Sequence, residues 1–395
     1  MSAFAGNPRR AVVSTTIART ADAFYGQIID VLKQDGYEVH VITSDGPEIP
    51  SLKRRADHVH IVAMRRQVDV IADFRALLGW MRILVRVRPD FVLAGTPKAG
   101  LVGMIASWVT RVPRRAYFLQ GLRLEGTQGL KRAILSKMEF LTSWCSQVVI
   151  AVSPSVADRY RELGLAAGRP LAVPHHGSSH GVDTVFFSPR QQSPDLIKAI
   201  GLASDLPVVT FIGRLTADKG PDALLGALRR IRLQGLSIQL LVVGAQDEAD
   251  SAYYLSQIER EATAIMVVSH VQDVRPYLAA SDVVVLPTRR EGMPNVVLEA
   301  AAMAVASVTT DATGAVDSVV DGQTGLIVPV GDEGALADAV VRLLQDADLR
   351  LQMGRNARER AVKDFQPADV SRAVVDLAVR GSRQALPESA TEETR

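Results

Sequence analysis

Residues 281–303 read SDVVVLPTRREGMPNVVLEAAAM. The stretch opens with a β-branched apolar run that ends at Pro287 and reads as a buried strand. It closes with an apolar, alanine-rich segment that reads as a helix over Asn295–Ala304. Glu291 and Glu299 stand eight positions apart, roughly two helical turns, so one continuous helix would carry both carboxylates on one face. Gly292 and Pro294 argue against a helix starting before Asn295. Glu291 therefore belongs to a loop and Glu299 lies one turn inside the helix that follows.

This strand, loop and helix unit recurs along almost the whole chain. RRAVVST from Arg9, YEVHVIT, HVHIVAM, DFVLAG, RRAYFL and QVVIAVS read as strands, separated by helices that include Asp69–Val87 and others starting near Lys98 and Leu130. After the Gly-, Ser-, Pro- and His-rich segment 174–195 a second series begins. It contains LPVVTFIG, the helix Pro221–Gln234, SIQLLVVG, the helix Ala249–Ala264, AIMVVSH, SDVVVLP and ASVTT. Strands joined by helical crossovers predict parallel sheets covered on both faces. The expected fold is α/β, two doubly wound Rossmann-like domains with a cleft where their strand ends face each other. A single sheet with one long insertion is the competing architecture.

Bulk properties agree. The 395 residues are 47% hydrophobic, ample for two cores. The single cysteine, Cys145, excludes an internal disulfide framework and fits a reducing compartment. No export signal is read at the N-terminus. The uncharged run 140–157 is broken by polar residues and reads as a helix end followed by a buried strand, not a membrane span. The net charge of +2 hides an asymmetry. Residues 1–190 hold 25 Lys and Arg against 15 Asp and Glu, a net +10, and the remainder is at −8. Different partners for the two halves, or ordinary variation of surface charge, account for this equally simply.

The chemistry gathers in the second series. Gly213 ends the strand LPVVTFIG, and Arg214 and Lys219 follow beside a helix start, where free N–H groups and the helix dipole favour anions. Arg grips phosphate with two parallel donors, and Lys adds a mobile point charge. Pro294 suits the first helical position, so Asn295, Val296 and Val297 present free N–H groups, a second anion cradle. Glu291 at its mouth accepts hydrogen bonds from hydroxyl groups, and Glu299 reaches a different part of the same ligand, such as a ribose diol. A nucleotide sugar has that layout. The bland alternative is a surface turn, a dipole-stabilising Glu291 and a solvated Glu299.

The segments GRL…DKG, SDVVVLPTRREGMPNVVLEAAAM and DGQTGLIVPVGDEGALADAVVRLL together resemble the C-terminal half of the family 4 retaining glycosyltransferases of GT-B fold. GYEVHVIT, GTPKAGLVGMIAS and GVDTVFFSP resemble the N-terminal half of the subgroup that builds bacterial capsular, O-antigen and exopolysaccharide repeat units. The resemblance implies an acceptor-binding domain over 1–190 and a nucleotide-sugar-binding domain over 191–365. A C-terminal helix, 366–382, is expected to pack back toward the first domain, ahead of a disordered tail, 383–395. Glu291 would meet sugar hydroxyls, Glu299 the ribose, and Gly292, Met293, Pro294, Asn295 and Val296 the diphosphate and sugar. Arg214 and Lys219, beside Gly213, would neutralise the diphosphate leaving group, with Asp273 and Val274 near the base. The donor is a co-substrate, UDP-linked by subgroup analogy, and no metal or other cofactor is expected. The acceptor would be a polyprenyl-diphosphate-linked glycan.

Two departures stand out. Where the family usually has a glycine pair, Arg19 and Thr20 stand here, just after Thr16, with Thr20 opening an amphipathic helix closed by Gly36, and where many members have a histidine near the sugar there is Gln120. Thr16, Arg19, Thr20 and Gln120 are placed in the acceptor and sugar vicinity. His175, His176 and His180 form a poor metal set, since their spacings are awkward and their segment has no nearby Cys and no carboxylate before Asp183. Nucleic acid is not an expected partner.

The basic half points to the inner face of the cell membrane. In helix 69–87, Phe74, Leu77, Leu78, Met81, Leu84 and Val85 read as a core-facing stripe, with Arg75, Arg82 and Arg86 on another face. GLKRAILSKMEFL sets Lys131, Arg132 and Lys137 beside Leu130, Ile134, Leu135, Met138 and Leu141. Basic charge over apolar residues can hold a protein to anionic lipid, and it can equally be an ordinary solvated helix face. The resemblance decides between them, since the related enzymes extend glycans on a polyprenyl diphosphate at the inner leaflet, and a peripheral cytoplasmic enzyme is expected. A non-hydrolysing sugar-nucleotide epimerase and a non-catalytic nucleotide-sugar-binding protein are the competing functions.

Overall fold

Buried strands of continuous β-branched residues, such as VVTFI, QLLVV and VVVL, require cover on both faces, and the chain supplies it with helices. In the structure, a computed structural model, the described residues are 9–64, 69–190, 194–203, 206–244, 251–261, 264–269 and 271–380. The expected tail, 383–395, lies outside them. The chain divides into two compact units, one formed by Met1–His180 with Pro367–Arg395, the other by Gly181–Gln366.

The first unit runs β1 (Arg9–Ser14), α1 (Ala18–Gln34), β2 (Tyr37–Thr43), α2 (Ile49–Arg55), β3 (His58–Ile61), α3 (Val70–Val87) and β4 (Phe91–Gly95). It continues with α4 (Pro97–Val109), β5 (Arg114–Leu119), α5 (Gly129–Cys145), β6 (Val148–Ala151), α6 (Pro154–Glu162) and β7 (Leu171–Ala172). Its sheet has the order β3-β2-β1-β4-β5-β6-β7, with every pairing parallel. Strand order reverses on either side of β1, so the loops after β1 and β4 flank the position where open α/β sheets bind ligands.

The second unit runs α7 (Pro194–Ala199), β8 (Val208–Ile212), α8 (Pro221–Leu233), β9 (Gln239–Val243), α9 (Ser251–Glu261), β10 (Ala264–Val268), α10 (Arg275–Ala279) and β11 (Val283–Leu286). It ends with α11 (Asn295–Ala302), β12 (Ala306–Thr310), β13 (Gly325–Val328), α12 (Glu333–Gln345) and α13 (Ala347–Asp364). Its sheet order is β10-β9-β8-β11-β12-β13, again wholly parallel. The last helix, α14 (Pro367–Arg380), belongs to the first unit. There Val374, Val375, Leu377 and Ala378 join the core of α1 and the sheet, and Arg372 pairs with Asp35 at 2.6 Å.

Four expectations need correction. The division falls after His180 and not at 190. Residues 182–187 are tied to α13 through Val182 N–H to Phe365 O at 2.8 Å and Arg358 to the Thr184 and Phe187 carbonyls at 3.1 and 2.9 Å. The first helix starts at Ala18, two residues before Thr20, so Arg19 also lies in the first turn of α1. The helix expected over Asn295–Ala304 stops at Ala302, and Ala304 takes φ 59°. The core stripe of α3 holds only in part, with Leu84 buried and Leu77 and Met81 packed against the core. Its buried residues are Ala76, Trp80, Leu84 and Val87, while Phe74 and Val85 are exposed. Trp80 sets the phase by packing on Gly103 of α4, where a Cβ would come within 2.8 Å of its ring.

Candidate functional site

Two loops of the second unit are stitched together at the ends of β8 and β11. After β8, Gly213 donates its N–H to the Val243 carbonyl at 2.9 Å, and the chain turns through Arg214 and a 3-10 turn over Ala217–Lys219. Gly220 then takes φ 70°, with its Cα against the Pro287 carbonyl, so a side chain is excluded on both conformational and steric grounds. The Asp218 carbonyl accepts from Arg289 N–H at 2.8 Å and from the buried Thr288 hydroxyl at 2.9 Å. The Asp218 carboxylate receives Thr216 Oγ1 at 2.5 Å and Arg290 Nη2 at 3.2 Å. Burial alone would raise Asp218, but the Thr216 hydrogen bond and the Arg290 and Lys219 charges hold it below the usual carboxylate range.

This stitching brings Lys219 and Glu291 into contact, Nζ against Oε1, with side-chain exposures of only 18% and 13%. Glu291 is fixed in turn by its own N–H, which reaches the Thr313 carbonyl at 2.8 Å. Arg214 is exposed at the exit of β8. Pro294 occupies the N-cap position of α11 and not its first helical position, and Val297 N–H is taken by the Pro294 carbonyl at 3.1 Å. The cradle is therefore narrower than expected. Asn295 and Val296 have backbone N–H groups without an acceptor among the described residues, and Asn295 Oδ1 is buried without a partner. Met293 is a core residue, packed with Val182 and Leu298, so only its backbone faces the loop chemistry, beside Gly292.

Glu299 sits one turn further along α11, partly buried. Its carboxylate has no hydrogen-bond or ion-pair partner among the described residues, and burial pushes it up to about 7. Asp273 is engaged by Arg275, with Nη2–Oδ2 at 2.6 Å and Arg275 N–H on Oδ1 at 2.9 Å. That pairing holds its carboxyl below the ordinary value and leaves Val274 as the N-cap of α10.

In the first unit, Thr16 is buried and its hydroxyl is 2.7 Å from that of Thr96. It is a brace between the loop after β1 and α4. Arg19 is exposed and Thr20 half-buried on α1. Gln120, just after β5, has a buried Nε2 without a partner. His180 stacks on Phe24 at 4.8 Å and bonds Ser179, while His175 and His176 are exposed.

Two family models match the chain, a glycosyl transferase 4-like domain over residues 22–176 and glycosyl transferases group 1 over 206–346. The capsular polysaccharide biosynthesis glycosyltransferase CapM of Staphylococcus aureus is 33% identical over 353 residues, covering 89% of this chain and 91% of its own. The chain belongs to the group 1 glycosyltransferases. An Escherichia coli UDP-Gal:alpha-D-GlcNAc-diphosphoundecaprenol alpha-1,3-galactosyltransferase is 24% identical, with 86% and 88% of the two chains covered. In fold, the glycosyltransferase matches a Rickettsia africae glycosyltransferase at TM-score 0.77 and 18% identity, covering 96% of this chain and all of the other. Anabaena HepE in complex with UDP and glucose matches at 0.75 and 20%, over 93% and 98%. The fold of this glycosyltransferase is therefore GT-B.

Three residues of the loop network escape a reading of the sequence, namely Asp218, Thr288 and Arg290. Each lies within a segment already quoted, but their mutual contacts cross 70 to 72 positions of chain and carry no local signal.

Proposed function

We propose that this glycosyltransferase moves a sugar, with retention of anomeric configuration, from a UDP-linked donor to a polyprenyl-diphosphate-linked glycan. The observation that carries the reading is the placement of Lys219 and Glu291 side by side at the start of α11, next to the free N–H groups of Asn295 and Val296. An anion site and a hydroxyl acceptor then stand within one ligand's reach. As the diphosphate leaves it gains negative charge, which Arg214, Lys219 and the helix start stabilise. Glu291 orients the sugar, Glu299 accepts from the ribose and Val274 borders the base. The positive charge for departure comes from side chains in this reading, with no metal required. The names of the relatives support the donor and acceptor classes, since the Escherichia coli enzyme uses UDP-Gal and a diphosphoundecaprenol acceptor.

A thermal-shift panel of UDP-, GDP-, dTDP- and ADP-sugars tests the donor, because a ligand that binds only the folded state raises its apparent stability. The UDP-sugar is expected to give the largest shift, and the anomeric configuration of the product is then read by NMR. Equal shifts from all four would overturn the base assignment. Epimerisation of a UDP-sugar without any acceptor would overturn transfer.

We further propose that the first unit docks on the anionic inner leaflet. No helix of the described residues is long and apolar enough to cross a membrane. Helix α5 is instead turned inside out. Its buried residues are Glu139, Thr142, Ser143 and Cys145, while Leu130, Ile134, Phe140, Leu141 and Trp144 are exposed. Val70, Ile71 and Phe74 of α3 are exposed likewise, near Arg75. Exposed apolar side chains among Lys131, Lys137 and arginines suit anionic lipid, at about 1 kcal/mol for each basic residue near the surface. Binding to phosphatidylglycerol vesicles is expected to fall with salt, and Lys131→Ala/Lys137→Ala to weaken it roughly 30-fold. Equal binding to neutral phosphatidylcholine vesicles would exclude the electrostatic part.

A further inference from the structure

The parallel register of β2 and β3 pairs His40 with His58, with Glu38 and His60 next along the same face. Glu38 Oε1 lies 3.0 Å from His58 Nε2 and 3.4 Å from His40 Nε2, and the three atoms lie within 4.8 Å of one another. Four ligands held tetrahedrally at zinc's bond length of about 2.0–2.1 Å stand about 3.3 Å apart. The two shorter separations match that spacing. We propose that Glu38, His40 and His58 form a binding site for a late first-row divalent cation, with Zn2+ as the reference ion and a fourth position open to water.

The surroundings are those of a built site. His40 is only 5% exposed, yet its Nε2 has no hydrogen-bond partner. Its Nδ1 is 3.0 Å from His60 Nε2. If Nδ1–H donates to His60, the Nε2 lone pair points at a carboxylate oxygen, two acceptors face to face, and a cation between them resolves the conflict. Arg10 Nε holds Glu38 by its other oxygen, Oε2, at 3.0 Å, which orients the carboxylate and leaves Oε1 turned to the histidines. The exposed His58 gives the ion an entry from solvent.

Imidazole with carboxylate is the donor set of zinc, nickel and copper and not of magnesium or calcium. The charged groups facing the cluster are Glu38 itself, Arg10 from β1, Arg86 from α3 and Asp57 just ahead of β3, and the two guanidinium groups moderate the affinity. Glu38 and His58 sit at the strand starts, the opposite end of the sheet from the loops that carry Thr16 and Gln120. The ion would therefore pin the edge strand β3 to β2 and take no part in sugar transfer.

Isothermal titration of the full chain with Zn2+ at pH 7.5 tests this, followed by the visible d–d spectrum of the Co2+ form. One site per chain is expected, with a Co2+ spectrum of tetrahedral intensity. His58→Ala, a change at an exposed position, removes the binding while the metal-free melting temperature stays as in the wild type. His60→Phe weakens it about 10- to 100-fold by loosening His40. His176→Ala, at an exposed histidine elsewhere, leaves it unchanged. Absence of one-to-one binding, or a His58→Ala protein that binds as the wild type does, would overturn the proposal.

Discussion

Lys219→Ala is expected to lower kcat for sugar transfer by roughly 10²–10³-fold, the loss typical of removing one preorganised donor from a developing anion. Lys219 is held for that role by the turn that ends at Gly220 and by its contact with Glu291. The substitution also leaves the carboxylate of Glu291, 13% exposed, without its counter-charge. A second variant separates the two effects. If Lys219 served only to neutralise Glu291, Lys219→Ala/Glu291→Ala would recover activity. With Lys219 on the leaving group and Glu291 on the sugar, the double variant stays at or below the weaker single one. Full activity in both Lys219→Ala and Glu291→Ala would refute the site.

Glu299→Gln is expected to have opposite effects on folding and on donor binding. Burial raises the folded-state pKa of Glu299 from 4.5 to about 7. The stability linked to its neutral form is fully present below the unfolded value and is lost as pH rises through about 7. The wild type should therefore lose stability between pH 5 and pH 8 relative to the variant, by roughly 2 kcal/mol after allowance for partial exposure. Melting curves at the two pH values read this as a difference of about 4–8 °C that is absent at pH 5. In the proposed reading the carboxylate accepts from ribose hydroxyls, so the variant should bind UDP-sugar about 10- to 100-fold more weakly at pH 8. Wild-type affinity should fall below pH 7. A variant with unchanged donor affinity would remove Glu299 from the site.

The second unit was legible in the sequence because its candidate site is built from one local stretch. Strand, loop, glycine, proline and helix follow one another within Ser281–Met303, and each residue type speaks for its own backbone position. The details that went astray depended on neighbours. Pro294 is an N-cap and Val297 has no free N–H because the first turn closes on the Pro294 carbonyl. The stripe of α3 kept Leu77, Met81 and Leu84 on the core but lost its flanks, because Trp80, set against Gly103 on another helix, took the place of Phe74 and Val85. The polar inner face of α5 inverted the usual rule, since Glu139 is buried by bonds from the Tyr117 and Tyr160 hydroxyls at 3.0 and 3.2 Å.

By itself the sequence determined the alternation of strands and helices and the two series, and it singled out Arg214, Lys219, Glu291 and Glu299 as candidates, since periodicity, turn chemistry and charge are written in adjacent residues. Only the tertiary structure decided which of these meet. The contact of Lys219 with Glu291 spans 72 positions, and the cluster of Glu38, His40 and His58 exists because two parallel strands pair in one register. Such meetings follow from the packing of buried surfaces over the whole unit, a non-local quantity that no stretch of chain carries alone.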